Sequence, residues 1–478
     1  MKIRLIEPEP PGMHVYAKVL LPRLGLPIIA ATLKAHGHDV LIYNSQMAPI
    51  DWDDVNSAEL VGLSSTTSTA TTAYEFADDL RARGIPVIIG GSHVTFMADE
   101  ALGHADYVAR GEGGEQIMLE LIESLKGKRE LHDIGGLSFL RAGQAVHNAL
   151  RERLTDLDEL PFPDLRLLVG SERLTTMPIM TSWGCPFACN FCSVTAMFGR
   201  KYRFRSAESV IAEIKDKRPT RIFFYDDNMA ADKRRLKTLL RMMIDRGITP
   251  RWTAQVRTDV ARDEELLTLM KQSGCWRLAL GLESIDQATL DGFAKSQTVE
   301  NITDALAALN RHGIRCHGMF VIGADTDTVA TARETVAFAK KHGIDSLMLN
   351  VLTPGLGTKQ YELMDAGDRI FEHRWQFYDG QHVIFEPQHM TPVELQTEIV
   401  KGYRRFYSLR RSLKFLVRLQ FLKLLEHLWG WVYIHRWQRE PANRAYVQGL
   451  AGRSGSPSAA GHGVSPAAAT QAVAARGR

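Results

Sequence analysis

The chain has 478 residues, 45% of them hydrophobic and 24% charged, with a formal net charge of +3. That length exceeds one ordinary core and predicts two or three domains. The balance is that of a folded, water-soluble chain, and no run approaches the ~18 uninterrupted apolar residues of a transmembrane helix. The first seven residues read as a strand rather than a secretory leader, so the expected location is the cytoplasm.

Residues 1–125 alternate short apolar runs, at 2–6, 39–43, 60–64, 87–90 and 107–110, with amphipathic stretches such as 27–36 and 72–83. Strand–helix alternation with short turns predicts a Rossmann-like, doubly wound parallel sheet. Ligands of such sheets bind at the carboxyl ends of the strands. The residues there are Ser64, Ser65 and Thr66, then Gly90, Gly91 and His93, then Gly111 and Glu112. Small residues would let a large flat ligand approach the backbone, and hydroxyls would serve its polar edge.

Residues 126–175 are expected to form a linker, with a hairpin around 141–144 and a proline-bearing extended segment at 157–164. From 176 to 370, strands at 177–182, 221–225, 252–256, 277–281, 317–322 and 346–351 alternate with helical patterns. Six βα repeats are too few for a closed eight-stranded barrel, and as in full barrels the chemistry is expected at the C-terminal strand ends. Residues 371–450 are expected to be mostly helical and 451–478, rich in Ala, Gly, Ser and Pro, to be disordered.

The most informative residues are Cys185, Cys189 and Cys192 in Cys-Pro-Phe-Ala-Cys-Asn-Phe-Cys. A C-x3-C-x2-C loop brings three thiolates together, whereas a ferredoxin-type cubane takes one for each of its four irons. One iron is left for a ligand that is not protein. Structural zinc wants four ligands in paired halves, and a second half is absent. Five cysteines with an odd clustered set also argue against a disulfide framework. Cys275 and Cys316, in apolar stretches, are expected as buried small hydrophobes.

This loop, with the aromatic Phe191 before its third cysteine, resembles that of the radical S-adenosylmethionine (SAM) superfamily, in which SAM occupies the free iron of a [4Fe-4S] cluster; for residues 176–370 the resemblance implies a partial (β/α)6 barrel, open on the side that receives substrate. Residues 1–125 resemble the cobalamin (B12)-binding domain of one large subgroup, through Leu26-Pro27, Leu33-Lys34-Ala-His-Gly-His-Asp39, the Ser/Thr stretch, Gly90-Gly-Ser-His93 and Gly111-Glu-Gly113. That subgroup holds class B-type methyltransferases and proteins like the anaerobic magnesium-protoporphyrin ester cyclase. The D-x-H-x-x-G loop of the best-known cobalamin proteins is missing: residues 7–14 read Glu-Pro-Glu-Pro-Pro-Gly-Met-His. Cobalamin would then be held without a lower histidine.

The resemblance implies roles for the strand-end residues. Asp226 and Asp227 would accept from the SAM ammonium group or shape their loop, the alternative being a cap for the helix near Asp232. Gln255 and Arg257 end the third strand, where the guanidinium would fork onto the SAM carboxylate or pair with Asp259 or Glu283. Glu283 would accept both ribose hydroxyls, Gly281 would permit close approach, and Gly323 would pack adenine. Leu352-Thr-Pro-Gly-Leu-Gly-Thr358 is similar to the family's sixth-strand turn, and Tyr361, Tyr378 and His382 are candidates for ending a radical reaction. The implied reaction is reductive cleavage of SAM to a 5′-deoxyadenosyl radical, with an electron from a partner such as flavodoxin or ferredoxin. Methylation of an unactivated carbon by way of cobalamin is one outcome and oxidative cyclisation or rearrangement another; a non-enzymatic sensor is a third reading.

The charge is uneven along the chain. Residues 401–440 carry ten Lys/Arg and two Glu, or +8, leaving −5 for the rest. Between 403 and 437 the cations interleave with Phe, Leu, Trp and Tyr, a pattern for peripheral contact with a membrane surface, or for packing on the barrel or dimerisation. A small-molecule or lipid substrate is expected. Nucleic acid is not, because the aromatics sit in apolar runs rather than along a polar basic groove.

Overall fold

The computed structural model describes residues 1–13 and 20–453. The expected tail beyond 453 and the end of the 7–14 loop lie outside the described residues. β1 (Lys2–Glu7), β2 (Asp39–Asn44), β3 (Leu60–Ser64), β4 (Val87–Gly90) and β5 (Tyr107–Ala109) are parallel, in the order β2-β1-β3-β4-β5. Helices cover both faces, so the strands are continuous apolar runs; β1 is buried at every position after Lys2. The strand order reverses between β1 and β3, and at such a switch point a doubly wound sheet opens a crevice.

The sheet continues past the boundary expected at residue 125. β6 (Leu137–Arg141) and β7 (Gln144–His147) form the expected hairpin, and β6 pairs antiparallel with β5, setting Phe139 opposite Tyr107. Buried Leu137 and Phe139 join the first domain's core. The following segment is packed too. Leu157, Leu160 and Leu165 cluster with Leu24 and Ile28 on one side and Met180 on the other.

β8 (Met177–Ile179) begins the second sheet, and the short antiparallel pair β9 (Ser182–Trp183) and β10 (Arg203–Phe204) brackets the cysteine loop. β11 (Arg221–Phe224), β12 (Arg251–Val256), β13 (Cys275–Glu283), β14 (Arg315–Ile322) and β15 (Ser346–Val351) follow. The six strands of this sheet are all parallel, in the order β8-β11-β12-β13-β14-β15, with no bond closing β15 to β8. The α/β architecture is thus a Rossmann-like domain, an open six-stranded barrel and a helical C-terminal region. Alternation along the strands separates outside from inside. In β12, Trp252, Ala254 and Val256 are buried against helices, while Thr253 and Gln255 are half-buried and face the lumen.

The open edge is covered. Tyr403, on the helix Pro392–Phe406, and Tyr407, which caps its C-terminus, direct their hydroxyls at β15, where they accept from the Leu349 and Leu347 N–H groups at 2.9 and 2.8 Å and donate to the same residues' carbonyls. An exposed edge strand is thereby satisfied by side chains. Pro392 at the first turn and a Thr391–Glu394 capping box fix where that helix starts. Helices Leu409–Val417, Phe421–Arg439 and Pro441–Arg453 complete the described chain.

Candidate active site

The strand-end crevices of the two sheets face each other. Leu24 and Ile28, beside the β1 end, pack with Met180, Trp183 and Tyr225 at the β8 and β11 ends. The Phe96 ring lies so close to Gly357, in the turn after β15, that a Cβ there would meet it. A third contact is ionic: Glu112 takes both Nη atoms of Arg203 at 2.6 Å, with side chains 6% and 2% exposed. Glu112, expected at the cobalamin surface, is instead part of the clasp between the domains.

The cysteine loop runs from the end of β9 to the helix Ser193–Phe198, and its three thiols are half-buried. Burial pushes the Cys192 thiol up to about 11 and raises that of Cys185, so both need a cationic centre to become thiolates. Among the described residues no three His, Cys, Asp or Glu side chains converge as ligands of a single ion. A cubane binds each thiolate at a different iron, so three sulfurs on one loop fit it without converging. Arg257 supplies positive charge: Nη1 donates to Cys189 Sγ at 3.8 Å and the guanidinium lies 3.7 Å over the Phe187 ring. Its Nη2 donates to the Lys295 and Ser296 carbonyls. Neither sequence-expected pairing of Arg257 forms, since Asp259 meets Lys233 at 3.4 Å and Glu283 meets Lys295.

The two aspartates part company. Asp226 is fully buried and accepts from the Thr181 N–H at 2.7 Å, the Thr181 hydroxyl at 2.6 Å and the Ser182 N–H at 2.8 Å. It ties β11 to the entry of the cysteine loop and is closed to SAM. Asp227 is open to solvent at the barrel mouth, yet protein on its other sides and the Asp226 charge push its carboxyl up to about 6. Gln255 stands in the lumen. Glu283 is 7% exposed with φ +62°, and its Oε1 accepts from Lys295 Nζ at 2.6 Å. A Cβ on Gly281 would sit 2.6 Å from that oxygen, so the glycine admits the pair. Gly323 is packed by the chain's own Phe385 and Leu395, which takes up the side expected for adenine.

In the first domain, Ser64, Thr66, Gly90, Gly91 and Gly111 keep accessible surface at the crevice, whereas Ser65 and His93 are buried. Gly91 has φ +113°, and a Cβ would come within 2.2 Å of the Ser65 carbonyl, so this turn requires glycine. His93 lies inside the domain boundary, 5.0 Å from the Trp375 ring and 3.6 Å from Glu100, which also accepts from Trp375 Nε1 at 2.8 Å. It helps dock the C-terminal segment that carries Trp375. Tyr378 donates to the Glu372 carbonyl at 3.0 Å, and the His382 ring lies between Asp379 and Asn443 at 2.9 and 3.1 Å, so both are held by their own segment.

Sequence reasoning missed Lys295. Its flanking residues Ala294 and Ser296 have φ of +51° and +52°, and with Glu283 they concentrate backbone strain beside the cysteine loop. The same loop accepts from Asn190 through the Gly292 and Phe293 carbonyls at 2.7 and 3.2 Å. No local spacing marks a lysine whose partner is twelve residues away.

Three kinds of comparison with known proteins agree with this geometry. The Radical SAM superfamily model matches residues 179–339 and the B12 binding domain model residues 13–120. An uncharacterized methyltransferase of Pyrococcus horikoshii is 30% identical over 405 residues, covering 81% of this chain and 88% of the relative. A bacteriochlorophyllide d C-12(1)-methyltransferase of Chlorobaculum tepidum is 28% identical over 80% of this chain and 82% of its own. A hopanoid C-3 methylase of Methylococcus capsulatus is 25% identical over 85% and 80%. The solved structure of OxsB, a cobalamin-dependent SAM radical enzyme with aqua-cobalamin bound, shares the fold with a TM-score of 0.68 at 16% identity, covering 89% of this chain and 72% of that one. The chain belongs to the cobalamin-binding radical SAM methyltransferase family. It is an enzyme whose cofactors are a [4Fe-4S] cluster, SAM and cobalamin.

Proposed function

We propose that this enzyme methylates an unactivated carbon of an apolar small molecule, a polycyclic or lipid compound. The observation that carries this reading is the facing of the two strand-end crevices, one bearing the cysteine loop and the other belonging to the B12-binding domain. When bound, the cluster and SAM supply a radical able to take hydrogen from an unactivated C–H bond, and cobalamin supplies the methyl group. The lumen between the crevices is walled by half-buried Phe223, Tyr225 and Met319, with Gln255 and Asn350 as polar points, which suits an apolar guest and excludes water. The relatives named for a bacteriochlorophyllide and a hopanoid act on large ring systems of this kind.

The chain's own residues position and screen. Arg257 bridges the cysteine loop to the 294–296 loop and places a cation beside Cys189. Asp227, rather than the occluded Asp226, takes the SAM ammonium group, which restores the charge that its surroundings oppose. Lys295 fixes the carboxylate of Glu283 for the ribose. The electron comes from outside the chain, from a donor such as flavodoxin or ferredoxin.

The test is product analysis with anaerobically reconstituted enzyme, a strong reductant, SAM labelled in its methyl group and a cell lipid extract. Methylation yields a substrate carrying the label, with S-adenosylhomocysteine and 5′-deoxyadenosine together. 5′-Deoxyadenosine alone, with an unlabelled product, would overturn the reading in favour of cyclisation or rearrangement. No SAM cleavage at all would favour a sensor.

A further inference from the structure

The helices Leu409–Val417 and Phe421–Arg439 form a hairpin with one satisfied side and one bare side. On the satisfied side, Glu426 binds Arg277 and Arg315, the latter through Nη1 at 2.9 Å; Lys423 meets Asp345 at 2.8 Å; and Arg411 donates to the Ile344 carbonyl at 3.1 Å. His427 is sealed among the Phe406, Tyr407 and Phe415 rings. These partners lie at the starts of β13, β14 and β15. The hairpin therefore caps the end of the barrel opposite the cysteine loop.

The other side is apolar and open. Leu413 and Val417 on the first helix, Leu419 in the turn, and Phe421, Leu425 and Trp429 on the second are 56–76% exposed. Along each helix they recur every three or four residues, so they form one continuous face. A soluble protein rarely leaves such a face bare unless something covers it. Its border is cationic. Arg410, Lys414 and Arg418 are exposed and recur every four residues, one position beyond the apolar stripe. The single acidic residue between 409 and 439 is Glu426, which is turned inward.

We propose that this hairpin docks the enzyme on an anionic lipid bilayer, lying in the headgroup region with its apolar face inward. Charge decides between the candidate occupants. A two-fold pairing with a second copy of the chain presents the same patch to itself and sets one cation stripe against the other. An anionic surface meets the stripe with opposite charge while the apolar face enters the acyl boundary. The contact lies in the interface: among the described residues no helix is long and apolar enough to cross a membrane. Since the hairpin sits at the far end of the barrel, docking leaves the mouth uncovered and does not depend on which reaction the site performs.

The experiment is co-sedimentation of the full chain with vesicles of phosphatidylcholine alone, or with about 30 mol % phosphatidylglycerol, a fraction that gives a strongly negative surface. Binding to the anionic vesicles, weakened by salt, is the expected result. Val417→Glu with Phe421→Glu should lower the partition coefficient by about ten-fold or more, because two large apolar groups are lost from the interface. Both positions are open to solvent, so circular dichroism and the unfolding midpoint should stay unchanged. Arg410→Gln, Lys414→Gln and Arg418→Gln together should remove the preference for phosphatidylglycerol. Absence of binding to either vesicle, or equal binding by the wild type and the double glutamate variant, overturns the proposal. So does a dimer in sedimentation velocity that the glutamate variant splits, which would make a second copy the occupant.

Discussion

Replacing Lys295 by Met tests whether the strained loop beside the cysteines exists to hold Glu283. The side chains of the pair are 8% and 9% exposed, 2.6 Å apart, so solvent screening does little to weaken it. Removing one partner of a buried pair strands the other charge and costs ~3–5 kcal/mol. At ~2–4 °C per kcal/mol for a domain of this size, the barrel's unfolding midpoint should fall by about 6–20 °C. Adding Glu283→Gln to that background removes the stranded charge and should restore at least half of the loss. Thermal unfolding followed by circular dichroism on the four proteins of the double-mutant cycle measures the coupling directly. A coupling below about 1 kcal/mol, the value of a surface ion pair, would refute the assignment of Lys295 as the group that positions Glu283.

Three further outcomes follow from the geometry. In the role proposed for it, Asp227, pushed up to about 6, must be ionised to receive the SAM ammonium group. SAM affinity measured by calorimetry should therefore fall as pH drops below about 6, and Asp227→Asn should flatten that dependence. The sign for stability is opposite: a carboxyl whose folded value is raised binds more protons folded than unfolded, so the ligand-free protein loses stability as pH rises toward 6. Asp227→Asn should then unfold at a higher temperature than the wild type at pH 7. Arg203→Met leaves the buried Glu112 carboxylate with Arg153, at 3.6 Å, as its remaining cation, which should cost less than the ~3–5 kcal/mol of a fully stranded charge yet speed limited proteolysis between the domains; proteolysis at the wild-type rate would contradict the clasp. Gly91→Ala forces a Cβ against the Ser65 carbonyl at a φ of +113°, and should weaken cobalamin retention on a desalting column while leaving iron content unchanged.

Fold class was legible because both sheets are built from apolar runs separated by 3.6-period stretches, a local signal. The β12 strand, expected at 252–256, spans Arg251–Val256. The placement of β6 and β7 was not legible. A hairpin is local, but its pairing with β5 depends on contact about thirty residues back, which no periodicity records. In the site, the cysteine loop was readable from spacing alone. Which way a motif residue points was not: Asp226 and Asp227 are neighbours in the turn after β11, one fully buried against Thr181 and the other open to solvent. His93 and Glu112 illustrate the same limit, since both follow strand ends yet meet Trp375 and Arg203, which lie far along the chain. Lys295, twelve residues from Glu283, and Trp375, 275 residues from Glu100, owe their places to tertiary packing and leave no local spacing to detect.

The account rests on three thiolates that hold a cubane with one iron free for SAM. Mössbauer spectroscopy of anaerobically reconstituted, iron-57-enriched protein tests this directly. The expected spectrum is that of a [4Fe-4S] cluster in which one iron site changes when SAM is added, and this change should vanish in Cys189→Ala. A protein holding no four-iron cluster, or one whose spectrum is indifferent to SAM, would contradict it.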